Sequence, residues 1–142
     1  MPLAASPVFR LHRRGPVSYA QAVDLVRDEL ADDPTIDITT TGRSTGLPRR
    51  IEIWMLDVDG RFFITGTPGR RDWLANLRSS PHLVVHLKRH GHVDLVARAT
   101  EVEDASTRRV VLQHSSASWY RDQEPIDVLV DTAPMVEVVF EA

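Results

Sequence analysis

Ile51-Glu52-Ile53-Trp54-Met55-Leu56-Asp57-Val58-Asp59-Gly60-Arg61-Phe62-Phe63-Ile64-Thr65-Gly66 is the stretch on which the fold turns. Ile51, Ile53 and Met55 alternate with Glu52, Trp54 and Leu56, which is the two-residue period of a strand, and Asp59-Gly60 is the dipeptide of a tight hairpin turn. The stretch predicts two antiparallel neighbours, Arg50 to Val58 and Arg61 to Gly66. Toward the amino terminus, Ile36 to Thr41 reads as a strand of β-branched residues, followed by turn chemistry over Gly42 to Pro48. Toward the carboxyl terminus, Leu83 to Leu87 reads as a buried strand. The His90-Gly91-His92 turn then leads into a long strand from Val93 to Val102, and Met135 to Phe140 supplies a last one.

Helical spacing is sparser. Ser18 with Gln21 forms a capping box ahead of Ala22, Val23, Leu25, Val26 and Leu30, which predicts a helix from Tyr19 to Ala31, stopped by Asp32-Asp33-Pro34. Trp73, Leu74 and Leu77 fall on one helical face after Arg70, and Ser79-Ser80-Pro81 ends that pattern. Asp104 and Ser106 are caps for a helix from Thr107 to Ser116. Hairpin connections dominate, so the expected class is mainly β with flanking helices: a small antiparallel barrel of about six strands, not a doubly wound sheet. Residues 1–17, with three prolines and Arg10, Arg13 and Arg14, read as a basic arm, and residues 18–142 as one barrel domain. A barrel this small is filled by its own side chains, which sends a ligand to the outside or to a subunit boundary and makes a homodimer the expectation.

The chain has 142 residues, 42% apolar and 26% charged, with no cysteine. That composition fits a soluble globular protein without disulfides, thiolate metal sites or a cysteine nucleophile. No apolar run approaches the roughly 20 residues of a membrane span, and the opening residues lack a signal-peptide core, so a cytoplasmic protein is expected. The formal charge is −3 overall, yet residues 41–90 hold nine basic and four acidic side chains while residues 91–142 hold four basic and ten acidic. Such local concentration suits a small anion better than nucleic acid, which favours a broad basic face.

Two loops carry that charge. Thr41-Gly42-Arg43-Ser44-Thr45-Gly46-Leu47-Pro48-Arg49-Arg50 has three guanidiniums, two glycines and hydroxyl groups without a single acid. Gly66-Thr67-Pro68-Gly69-Arg70-Arg71-Asp72-Trp73 joins a strand to a helix whose first N–H groups add positive potential. Arginine forks beside glycines suit a phosphate or carboxylate. The alternative is a pair of solvated turns with arginines for solubility, Thr67 capping the helix and Trp73 filling the core. Lys-Ser/Thr is absent from the first loop, which excludes a Walker A site. His82, His86, His90 and His92 sit in or at the ends of strands with no carboxylate at diagnostic spacing, and no metal is expected. Ser115, Ser116 and Ser118 with His114 and Asp122 show no nucleophile elbow. Trp119-Tyr120 can close over a flat ring or anchor a core.

Thr39 to Arg50, Thr65 to Leu77 and Pro81 to Leu87 resemble the deazaflavin (F420)-dependent nitroreductase and quinone reductase family. The likeness spans about Ile36 to Val102. It implies a split β-barrel similar to FMN-binding pyridoxamine-phosphate oxidases, often dimeric, and hydride transfer from reduced F420 to a quinone, nitroaromatic or activated alkene. By resemblance, Arg43, Ser44 and Arg49 grip the coenzyme's phosphate with help from Arg50. Trp54, Thr65, Gly66 and Thr67 lie near the ring, and Gly69, Arg70, Arg71, Trp73 and Asn76 follow the tail. Ser44 stands where many relatives carry lysine or arginine, which leaves FMN as the alternative cofactor. A carrier that binds F420 or flavin without catalysis is the alternative outside enzymes. Tyr19, Tyr120 and His114 are candidate proton donors that the sequence does not rank.

Overall fold

The computed structural model describes residues 17–141. The basic arm expected at Arg10 to Arg14 lies outside the described residues. In order, the elements are α1 (Tyr19–Asp32), β1 (Thr35–Thr41), β2 (Pro48–Trp54), β3 (Leu56–Val58), β4 (Arg61–Thr65), α2 (Asp72–Ser79), β5 (His82–Leu87) and β6 (Val93–Glu101). They continue with α3 (Ala105–Gln113), a 3-10 turn (Ser115–Ala117), α4 (Ser118–Gln123), α5 (Ile126–Thr132) and β7 (Met135–Phe140). Every strand pairing is antiparallel, and the sheet order is β2-β1-β5-β6-β7-β4-β3.

Seven strands appear where the sequence suggested about six, because the stretch expected to run unbroken from Arg50 to Val58 parts at Met55. The Met55 N–H still donates to the Pro34 carbonyl at 2.9 Å, the last contact in the β1–β2 register before the strand changes partner. Before that kink the strand pairs with β1, Ile38 opposite Ile51; after it, β3 pairs with β4, Leu56 opposite Phe63. The hairpin neighbours read from the sequence are therefore β3 and β4 alone. The two outer strands of the sheet are halves of one ribbon, so the sheet curls round and closes through Met55 into a split barrel.

That closure explains an ambiguity in the opening stretch, where both alternating sets are apolar. Ile53, Met55, Phe62 and Ile64 face the barrel interior, packed with Ile36, Ile38, Val85, Leu95, Ala97 and Val138. Trp54, Leu56, Val58 and Phe63 face outward into a second core made with Val111, Leu112, Tyr120, Leu129 and Met135. A strand buried on both faces loses the clean alternation of a half-exposed one. The helices α3, α4 and α5 form that outer layer. Of these the sequence foretold α3, which starts at its Asp104 cap with Oδ2 accepting from Thr107 N at 2.8 Å. It ends at Gln113, short of the expected Ser116.

α1 begins at the expected capping box, with Ser18 Oγ accepting from Gln21 N and Gln21 Oε1 from Ser18 N. Its Glu29 is buried to 1% exposure, and the carboxylate accepts the N–H groups of Lys88 and Arg89. Arg89 answers by donating to the carbonyls of Glu29, Asp33 and Thr35. This buried charge is satisfied on every side, which is the condition for keeping one inside. It locks α1 against the β5–β6 turn.

Candidate functional site

The first cationic loop leaves β1 and returns as β2. Gly42 N donates to Leu47 O and Gly46 N to Gly42 O, both at 2.8 Å, which closes a tight turn. A Cβ on Gly42 would stand 2.7 Å from Thr45 Oγ1 and 3.3 Å from Leu47 O, so any larger residue must displace the Thr45 hydroxyl and crowd the turn. Gly46 has φ +71°, the left-handed region, with open space around it. The loop is pinned by α2: Asn76 Oδ1 accepts from Arg43 N at 3.0 Å, and Asn76 Nδ2 donates to Thr40 Oγ1 at 3.2 Å. Asn76 is buried, so its carboxamide works chiefly as a fastener between loop and helix.

A cleft of about 150 Å³ results, lined by Gly42, Arg43, Ser44, Thr45, Arg49, Asp72 and Asn76. It adjoins a second of about 370 Å³, where Arg49, Asp72 and Asn76 recur with Thr40, Arg50, Ile51 and Trp73. Arg49 makes no hydrogen bond or ion pair among the described residues, so its guanidinium is available. Arg43 NH1 lies 3.4 Å from Asn76 Oδ1 and 3.6 Å from Asp72 Oδ1. The hydroxyls of Ser44 and Thr45 and the guanidiniums of Arg43 and Arg49 fit a phosphate group. The fused clefts fit an elongated anionic coenzyme lying across the loop and the start of α2.

The remaining expected residues distribute unevenly. Arg50 and Arg49 are consecutive in a strand and point to opposite faces. Arg50 also lines the second cleft, but its Nε donates to Asp37 Oδ2 at 3.0 Å on the outer surface, so its guanidinium is already engaged. Trp73 is buried in the barrel core beneath the second cleft. Thr65 is buried, and its hydroxyl donates to Pro134 O at 2.6 Å. Arg71 folds over Gly66, with its NH2 donating to Thr67 O and Oγ1 at 2.8 and 3.0 Å, and so holds its own loop together. Gly69, Arg70 and Arg71 line a separate groove of about 960 Å³ between α2 and the helices α3 and α5. The two cationic loops thus flank α2 and do not share one wall.

Trp54 reaches the outer layer, where its ring meets Trp119 edge-on at 5.4 Å and Tyr120 at 6.1 Å. Trp119 is 46% exposed, and Tyr120 is buried. Burial raises the Tyr120 phenol above its ordinary range, and the positive charge of Arg71 partly offsets it, so the hydroxyl keeps its proton at neutral pH. Proximity to Arg71 brings this aromatic group to the Gly66–Thr67 loop, the ring end of the expected site. His114 is engaged as a cap, its Nδ1 accepting from Ser116 N.

Sequence reasoning missed the network on the outer face of β1, β5 and β6. Thr39 Oγ1 and His86 Nε2 are 2.7 Å apart, His86 Nδ1 and Asp94 Oδ1 are 2.7 Å apart, and Asp94 Oδ2 is buried without a partner among the described residues. Burial holds His86 below the ordinary imidazole range, although Asp94 pulls the other way. An isolated His and Asp at strand positions gave no sign of it, because only the sheet register brings them together. His90 pairs separately with Asp32 at 3.0 Å, so the histidines do not gather.

Similarity to solved structures agrees with this architecture. A conserved hypothetical protein of Mycobacterium tuberculosis superimposes with a TM-score of 0.65 at 19% identity, over 92% of this chain and 86% of the other. A protein of the pyridoxinephosphate oxidase family from Clostridium acetobutylicum gives 0.63 at 14% identity, over 84% and 83%. An F420-H2 dependent reductase gives 0.53 at 18% identity, over 75% and 94%. At these identities the likeness establishes the split-barrel fold. Residues 11–133 match the F420H(2)-dependent quinone reductase family. The match covers most of the chain and includes both cationic loops and the aromatic group. The chain therefore belongs to the F420H(2)-dependent quinone reductases, a family of reductases whose coenzyme is F420.

Proposed function

We propose that this protein passes a hydride from reduced F420 to an electron-poor organic acceptor, a quinone first, with nitroaromatics and activated alkenes of the same electronic character. The observation that carries the reading is the cleft in which the unpaired Arg49 guanidinium, Arg43, Ser44 and Thr45 surround a phosphate-sized space. The phosphate sits there and fixes the coenzyme's register. Toward Thr65, Gly66 and Thr67 the isoalloxazine-like ring meets the surface that Trp54, Trp119 and Tyr120 provide. The half-exposed Trp119 offers an apolar face on which a flat acceptor can stack. The groove at Gly69 and Arg70, which continues from the same loop, offers positive charge to the acidic tail.

When bound, the reduced coenzyme supplies the hydride, and the protein supplies position and a dry contact. Arg43 and Arg49 bind and orient, and Trp54 and Trp119 exclude water from the acceptor side. Tyr120 holds a proton beside the acceptor position. Of the three candidate donors it alone joins a retained proton to the aromatic surface, since Tyr19 lies exposed on α1 and His114 is spent on its cap. The exposed Val96 and Val139, on the outer faces of β6 and β7, favour a homodimer that covers them. The absence of cysteine favours the cytoplasm.

The test is direct. Purified protein is titrated with F420 and with FMN by fluorescence, and the reduced complex is then mixed with menadione or a nitroaromatic. Binding of F420 followed by catalytic loss of the hydride supports the reading. Binding without turnover favours a carrier, and tight binding to FMN alone favours the flavin enzyme.

A further inference from the structure

The phosphate-sized cleft contains a carboxylate of its own. Asp72 opens α2, its side chain is 89% exposed, and its Oδ1 stands 3.6 Å from Arg43 NH1. It lines both fused clefts beside Arg49 and Asn76. An acid in the first turn of a helix is favoured by the dipole, which accounts for an acid at this position. It does not require that the acid face Arg43 and Arg49, the arginines of this cleft. With Arg43 and Arg49 opposed by Asp72, the cleft carries two positive charges and one negative.

A single net positive charge discriminates between two kinds of phosphate. A phosphodiester, such as the one linking the deazaflavin side chain of F420 to its tail, carries one negative charge at neutral pH. A terminal phosphomonoester, such as that of FMN, carries about −1.5 to −2, because its second ionisation lies near pH 6. We propose that Asp72 is a specificity-determining residue: its carboxylate tunes the cleft to a phosphodiester and rejects a phosphomonoester, and so selects F420 over FMN. The inference rests on the placement of the coenzyme's phosphate between Arg43 and Arg49 argued above. Rejection of the wrong ligand by a like charge costs the right one less, because each additional ligand charge meets the same carboxylate again.

The experiment is a fluorescence titration of F420 and of FMN against the wild type, Asp72→Asn and Asp72→Glu. At pH 7.5 the Asn variant is expected to strengthen FMN binding about fivefold more than F420 binding, as one charge removed a few ångströms away at a wet surface allows. The Glu variant keeps the wild-type preference, which separates charge from shape. Repeating the FMN titration at pH 5.5, where the monoester has lost its second charge, is expected to narrow the difference between wild type and Asp72→Asn. A merely helix-stabilising Asp72 would show no such pH dependence. If F420 binds and the ratio of the two affinities is the same in all three proteins, the inference is wrong while the function stands. If none of the three binds F420, the placement of the phosphate fails, and the inference with it.

Discussion

Arg49 and Arg50 are neighbours in sequence and strangers in space. Register places Arg49 opposite Thr40, beside Asn76, and Arg50 opposite Thr39 on the outer face. On the proposed placement of the phosphate, Arg49→Ala removes a charged hydrogen bond to the coenzyme and is expected to weaken F420 binding by about 1.5 to 3 kcal/mol. Arg50→Ala loses an exposed ion pair with Asp37 and costs under about 1 kcal/mol of stability, and because that pair already holds its guanidinium it weakens F420 binding less than Arg49→Ala. Fluorescence titration and urea denaturation of the two variants check both statements. An equal loss of affinity in each would mean that the strand face has been misassigned. The cationic loops were legible in the sequence because charge and glycine content need no tertiary information. The division of labour within them was not, since Arg50, Arg71 and Asn76 find their partners at Asp37, Thr67 and Thr40 only through the fold.

The first loop and the β1–β5–β6 surface are the two elements most open to test. At Gly42 a methyl group would displace the Thr45 hydroxyl and press on the Leu47 carbonyl, so Gly42→Ala is expected to distort the turn. The expected result is at least tenfold weaker F420 binding with a melting temperature within a few degrees of wild type, because the loop lies outside both cores. A normal affinity in this variant would show that the closed turn is not the binding form. On the sheet surface, the unfolded chain takes up a proton at His86 near pH 6.5 that the folded chain refuses until lower pH. The unfolded state therefore gains stability as the medium is acidified. The contribution of His86 is complete above about pH 6.5 and falls away below it. Unfolding free energies measured at pH 7.5 and 5.5 should show a drop in the wild type that is smaller in His86→Gln. An identical drop in both would place the titrating group elsewhere.

Local signals located most elements and missed where they join. The strand and turn chemistry of Ile51 to Gly66 was plain, yet the break at Met55 was invisible, because there the strand changes partner from β1 to β4, and which strands pair is set by the whole sheet. Helices α4 and α5 were too short for a period to declare itself, at six and seven residues. They hold together through Tyr120, Leu129 and Val130 in the outer core, which is tertiary packing.

At the scale of the molecule, a barrel closed through one kinked strand leaves its interior full, so the proposed binding lies on its flank, where α2 meets the first loop. Exposed valines at positions 96 and 139 carry the expectation of a homodimer. Light scattering should give twice the chain mass for the wild type and a monomer for the Val96→Asp, Val139→Asp double variant. A monomeric wild type would remove the dimer from the account. The measurement that reaches the centre of it is the titration of F420 against the wild type and the Arg43→Ala, Arg49→Ala double variant, followed by oxidation of the reduced coenzyme by menadione. The account predicts binding and multiple turnovers for the wild type, with both lost in the double variant. Undiminished binding after removal of both guanidiniums, or a wild type that ignores F420, would contradict it.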